Sequence, residues 1–323
     1  MSLLRRQLLH LAGAAAALPM AMHFAKAETF PVRPIHIVNG FPPGGGSDVA
    51  ARLIGQPLQQ RMGQPIVVET RPGAGGNIGA EAVVRSPPDG YTLISAGANN
   101  SINATLYKNL PFDFIRDIAM VAGIMRGPFV MVANLSLETG NLTEFIAYAK
   151  ANPGKINMAS SGNGTVSHLA GELFKMLAGV DLVHVPYRGG GLPDLMAGHV
   201  QVMFANLPAA IGFIGAGRMR ALAVTTATRW PSLLDVPAVA EAVPGYEVSG
   251  WFGLGAPKAT PASRVAVLNK AVNACLAEPV ITDRMRELGA EPMVMRPSEL
   301  DAFVAADTER WASAVKFSGA KVD

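Results

Sequence analysis

Residues Pro34–Gly76 read PIHIVNGFPPGGGSDVAARLIGQPLQQRMGQPIVVETRPGAGG, and this stretch decides the fold. PIHIVNGF is a short β-branched run, FPPGGGSD is a turn of proline and glycine, and VAARLIGQPLQQRMG repeats its apolar residues at helical spacing before a closing glycine. QPIVVET is then a second strand. Strand, glycine loop, helix and strand in that order make a parallel βαβ unit. The pattern continues outward. YTLISAG, FVMVAN, KINMASSG, LVHVPY, VQVMFAN and MRALAVTT read as strands, and NIGAEAVVR, LTEFIAYAKAN, VSHLAGELFKMLAG and GGLPDLMAG as helices. The class is α/β, with parallel sheets covered on both faces.

The late segment from Ser249 reads as one strand, a proline-marked turn and a long helix, with terminal helices from Ser298 onward. A chain that builds three strands, adds several βα units and ends in helices suggests two lobes joined by crossover strands. The crossings are placed near Gly127 to Asn134 and near Ser249 to Pro257. Lobe 1 is then 28–128 with 250–323, and lobe 2 is 129–249.

Composition narrows the function. Of the 323 residues half are hydrophobic and 16% charged, so a large core can form and disorder is set aside. Lys and Arg total 27 against 24 acids. Arg5 and Arg6 precede an apolar run from Leu8 to Ala25, and Ala25, Lys26 and Ala27 follow the small-x-small pattern. This is a secretory signal over 1–27 with cleavage expected after Ala27, which places the product in a periplasm. The paired arginines also resemble a twin-arginine signal, and both export routes stay open. Removing the three cations of that segment, which holds no acid, leaves 24 charges of each sign. The basic balance is thus no sign of nucleic-acid binding. Cys275 is the single cysteine, so no intrachain disulfide or CxxC metal knuckle exists, and no cofactor is expected.

Glycine loops carry the strongest local signals. FPPGGGSD opens a helix after a strand but lacks the GK[ST] ending of a nucleotide phosphate loop. In RPGAGGNIGAE the glycines at 73, 75, 76 and 79 miss the GxGxxG spacing. What remains is a row of backbone amides at a helix start, where unpaired N–H groups and the positive end of the dipole favour an anion. SSGNGTVSH, Ser160 to His168, repeats the device with hydroxyls beside its glycines. Two such loops in different lobes suit a carboxylate. Asp48 would repel one unless it caps its own helix, which is the favoured role. Asn99, Tyr187 and Asn206 stand at strand ends, where ligands gather in open α/β sheets. Arg188 beside Tyr187 is the one cation in that group. The candidate ligand-binding set is Phe41, Gly44, Gly45, Gly46, Ser47, Asp48, Asn99, Ser160, Ser161, Gly162, Gly164, Thr165, His168, Tyr187 and Asn206.

Catalytic machinery is not evident. No GxSxG elbow or HExxH is present. The alternative function is a periplasmic α/β hydrolase using Ser167 or Ser161 with His168.

With GGGSD, RPGAGGNIGAE, PDGYTL and YRGGG in this order, the chain resembles the Bug (TctC-like) receptors, the substrate-binding proteins of tripartite tricarboxylate transporters. The resemblance covers nearly the whole chain after the signal. It implies a type II periplasmic binding protein fold, two α/β lobes joined by two crossover strands with the ligand between them. It also implies capture of a small carboxylate or related solute by amides, hydroxyls and waters, and delivery to a membrane permease or a sensor kinase. A monomer that is not an enzyme is the expectation. Two departures stand out: Thr70 replaces the usual Asn, and Asn39-Gly40 replaces an apolar-Pro pair beside the proposed site.

Overall fold

The computed structural model describes residues 30–187 and 190–321. The signal segment and Arg188 lie outside the described residues.

Three strands, β1 (Ile35–Asn39), β2 (Ile66–Thr70) and β3 (Thr92–Gly97), pair in parallel in the order β2-β1-β3. The helices α1 (Gly46–Met62) and α2 (Asn77–Val84) connect them, as the βαβ reading expects. A second parallel group, β5 (Asn157–Ser160), β6 (Val183–Pro186) and β7 (Val202–Asn206), runs β7-β5-β6. Its helices are α5 (Leu142–Ala151), α6 (Val166–Ala178), α7 (Leu192–Ala197) and α8 (Leu207–Gly215). Two short helices, α3 (Ala98–Leu106) and α4 (Phe114–Asp117), follow β3.

Between the groups stand β4 (Ile118–Ala133) and β9 (Ser249–Pro257), and these are antiparallel to their neighbours. The expectation of purely parallel sheets is corrected here. β4 leaves the first group and β9 returns to it, each running against the strands it pairs with. Along β4, residues from Ile118 to Pro128 pair with β9. From Phe129 on the partners are β7 and β8 (Arg220–Val224). The handover falls at Pro128, which has no N–H to give a ladder. β9 makes no such handover: it pairs with β4 along Ser249–Pro257 and with β3 from Phe252 to Gly255 on its other edge. The first half of β4 is an addition, since the strand there was expected to begin at Phe129. It is buried on both faces and has no alternation to announce it.

The C-terminal part supplies α9 (Ala262–Leu276), α10 (Pro279–Glu287), the short strand β10 (Glu291–Pro292) and α11 (Pro297–Ser318). One buried contact fixes α11 to β9: Trp251 Nε1 donates to Asp307 Oδ2 at 2.8 Å, and Arg310 meets the other carboxylate oxygen at 2.5 Å. Asp307→Ala should cost about 2 kcal/mol in urea unfolding, because the Trp251 N–H is left buried without an acceptor. An unchanged midpoint would show that this contact does not hold the helix. Among the described residues no single helix is long and apolar enough to cross a membrane.

Candidate functional site

The first glycine loop is shaped by the residue that ends β1. Asn39 is fully buried, and its Nδ2 donates to the Phe41 carbonyl at 2.9 Å. Its Oδ1 accepts the Phe41 N–H at 3.2 Å and the Ser47 hydroxyl at 2.7 Å. One amide thereby sets the path from strand to helix. Gly40 is needed for a different reason: a Cβ there would stand 2.6 Å from the Gly76 carbonyl oxygen. The Asn39-Gly40 departure is therefore a local solution that locks this loop against the RPGAGG turn. Asp48, 4% exposed, accepts the Gly44 N–H at 3.0 Å and the Arg52 Nε at 3.0 Å. It serves its own helix start and its charge is balanced by Arg52, so the expected capping role fits the geometry.

The second loop is held from below. Thr165 is the N-cap of α6; its Oγ1 accepts the His168 N–H at 3.4 Å and donates to the Gly162 carbonyl at 2.8 Å. Ser160 Oγ lies 2.6 Å from His184 Nε2 and accepts the Gly162 N–H at 3.2 Å. The His168 and His184 rings stack at 3.8 Å, 9° from parallel. His168 Nδ1 accepts the Gly164 N–H at 3.0 Å, so its proton sits on Nε2, which faces Glu172 Oε1 at 3.7 Å. Burial holds both imidazoles down at about 4, aided for His168 by the Lys175 cation and for His184 by His168.

The two loops meet at an inner pocket of about 60 Å³. Its polar lining is Gly45, Gly46, Ser47 and Asn99 from one side and Ser161, Thr165, Ser167 and Asn206 from the other. Phe41, Phe129 and Phe252 complete it. Four helices start there: α1 at Gly46, α3 at Ala98, α6 at Val166 and α8 at Leu207. None of the eleven lining residues is ionisable. Four positive dipole ends, each worth about 0.3–1 kcal/mol to a nearby anion and more when partly buried, converge on a space without a charged side chain. The two sides already touch. Asn99 Oδ1 accepts the Val166 N–H at 2.8 Å, and Asn206 packs on Gly46. The N-caps Gly45 and Asn206 make no side-chain cap hydrogen bond, and Asn206 Oδ1 is buried without a partner.

Several expected residues lie outside this pocket. Gly44, Gly162 and Tyr187 line larger grooves that adjoin it. Ser160, Gly164, Asp48 and His168 do not line the pocket and are set behind the loops, where they hold them. Phe129 and Phe252 were not expected. Both sit on the crossover strands, where a phenylalanine in an apolar run carries no signal beyond core packing.

The hydrolase geometry is absent. Ser167 Oγ donates to the Phe204 carbonyl at 2.5 Å, and the nitrogen of His168 that a base would use accepts from Gly164. No hydrogen bond among the described residues joins Ser161 or Ser167 to His168.

Residues 50–319 match the family model of the tripartite tricarboxylate transporter family receptor, TctC. The chain belongs to the TctC family. These proteins are solute-binding receptors and not enzymes, which removes the hydrolase alternative. Protein BugT of Bordetella pertussis is 36% identical to this TctC chain over 301 residues, 92% of each protein. Among solved structures, R. palustris Rpa4515 with adipate is 38% identical with a TM-score of 0.88, covering 91% of this chain and 100% of that one. The periplasmic binding protein BugD is 34% identical with a TM-score of 0.86, covering 90% and 99%. The recognition from ordered motifs and the binding-protein fold are both borne out by these matches.

Proposed function

We propose that this TctC receptor works in the periplasm, where it captures a small carboxylate between two lobes and delivers it to a tripartite tricarboxylate-type permease or to a sensor. The lobes are 28–128 with 250–323 and 129–249, and they act within a monomer. The signal is 1–27, cut after Ala27. One observation carries the reading: four helix starts surround a pocket that has hydroxyls, amides and no charged side chain. Such a site favours an anion through main-chain donors and water bridges. Rpa4515, solved with adipate, and BugD, named as a periplasmic binding protein, support the class of solute and the compartment. Gly45, Gly46, Ser47, Asn99, Ser161, Thr165, Ser167 and Asn206 would touch the solute. Phe41, Phe129 and Phe252 would exclude water from it. The closed state is selected because the ligand touches both sides.

Asn99→Asp tests the electrostatic claim. The carboxylate can still accept the Val166 N–H, so the melting temperature should stay within a few degrees. It also puts a negative charge in the pocket, and two like charges at about 4 Å repel by roughly 4 kcal/mol at an effective dielectric of 20. Calorimetry with hexanoate and adipate should show at least a hundredfold loss for any acid the unaltered chain binds. Retained affinity would contradict the proposal.

A further inference from the structure

The inner pocket adjoins a groove of about 500 Å³, with which it shares Gly45, Gly46, Ser161 and Asn206. The rest of that groove is different in kind. Leu192, Pro193 and Met196 of α7 line it with Ala209 and Phe213 of α8, and Pro42 belongs to it too. Phe213 is 39% exposed, a large apolar ring left at the surface. Among the described residues neither lining contains a lysine, arginine or histidine.

We propose that the solute is a monocarboxylate with an apolar body, its carboxylate in the inner pocket and its hydrocarbon part along the groove between α7 and α8. This deepens the receptor reading above and rests on it. The shared lining sets the direction, since four residues that face the anion site also face the groove. A methylene buried there gains about fourfold in affinity. A dicarboxylate of equal length would instead bring a second charge to a wall on which the described residues place no counter-ion.

Hexanoate and adipate have the same six-carbon chain and differ in that second charge, so calorimetry of both against the purified chain is the test. Hexanoate should bind at least tenfold more tightly than adipate. Met196→Gln should weaken hexanoate about fourfold to tenfold and leave acetate, which fits within the inner pocket, unchanged in a competition assay. If adipate binds as well as hexanoate or better, the groove holds a second charge and the inference fails while the receptor reading stands. If hexanoate is preferred but Met196→Gln has no effect, the apolar body lies elsewhere and the inference fails as well. If none of the three acids binds, the receptor reading for small carboxylates falls and takes the inference with it.

Discussion

Gly46→Val should weaken solute binding by up to about 150-fold while leaving the unliganded protein folded. A Cβ at Gly46 would stand 2.3 Å from Asn206 Oδ1, 2.7 Å from Asn206 Cγ and 2.8 Å from Phe252 Cζ. Overpacking of this kind costs roughly 1–3 kcal/mol when the neighbours cannot retreat. Gly46 and Asn206 lie on opposite sides of the pocket, so separating the two sides relieves the clash with Asn206, and the Phe252 ring tip, on the same side as Gly46, has to turn aside. The solute needs them together. A 3 kcal/mol bias against closure lowers apparent affinity by about 150-fold. Calorimetry with hexanoate or adipate and a thermal melt without solute check both halves of the expectation. Unchanged affinity would mean that closure onto Gly46 is no part of binding.

Acid should weaken the protein through the stacked histidines. His168 and His184 titrate at about 4 in the folded chain against an ordinary 6.5, because burial disfavours the imidazolium. The unfolded chain therefore binds more protons between those two values, and stability rises with pH across the window. The contribution is fully present above about pH 6.5 and is lost as pH falls through 4, roughly 3 kcal/mol for one histidine. Glu172 and Lys175 are the charged neighbours; Glu172 favours the imidazolium of His184 and Lys175 opposes it in both rings. The loop has its own stake. A protonated Nδ1 cannot accept the Gly164 N–H, so the second glycine loop loses its support in the same range. Urea unfolding at pH 7 and pH 4 should show the loss, and His184→Phe, which keeps a ring on His168, should remove the His184 share of it and leave that of His168. Equal stability at both values would contradict the assignment.

What the sequence revealed and hid follows from the length of each signal. The unit from Pro34 to Gly76 was legible because a period-2 strand, a proline-glycine turn and a period-3.6 helix follow one another without interruption. The α3 helix was hidden: Ala98–Leu106 is rich in asparagine and serine, which favour turns, and it holds together through Asn100 Oδ1 on the Gly97 N–H and its packing against α11. Of the site, the amide-bearing loops could be named because glycine beside a helix start has few other uses. Which side chains face the solute could not. Ser160 and Ser161 are neighbours in sequence, yet Ser160 turns back to His184 and Ser161 forward to the pocket. Asp48 looked adverse until Arg52, one turn on, was seen to balance it. Phe129 and Phe252 depend on where two distant strands cross, which no local pattern states.

The most direct test is a crystal structure of the complex with whichever of hexanoate or adipate binds. A carboxylate oxygen should lie within about 3 Å of the Gly46 or Ser47 amide, with a contact to Thr165 or Ser167 from the facing loop, direct or through one water. A carboxylate paired instead with an arginine or lysine, away from the four helix starts, would contradict this.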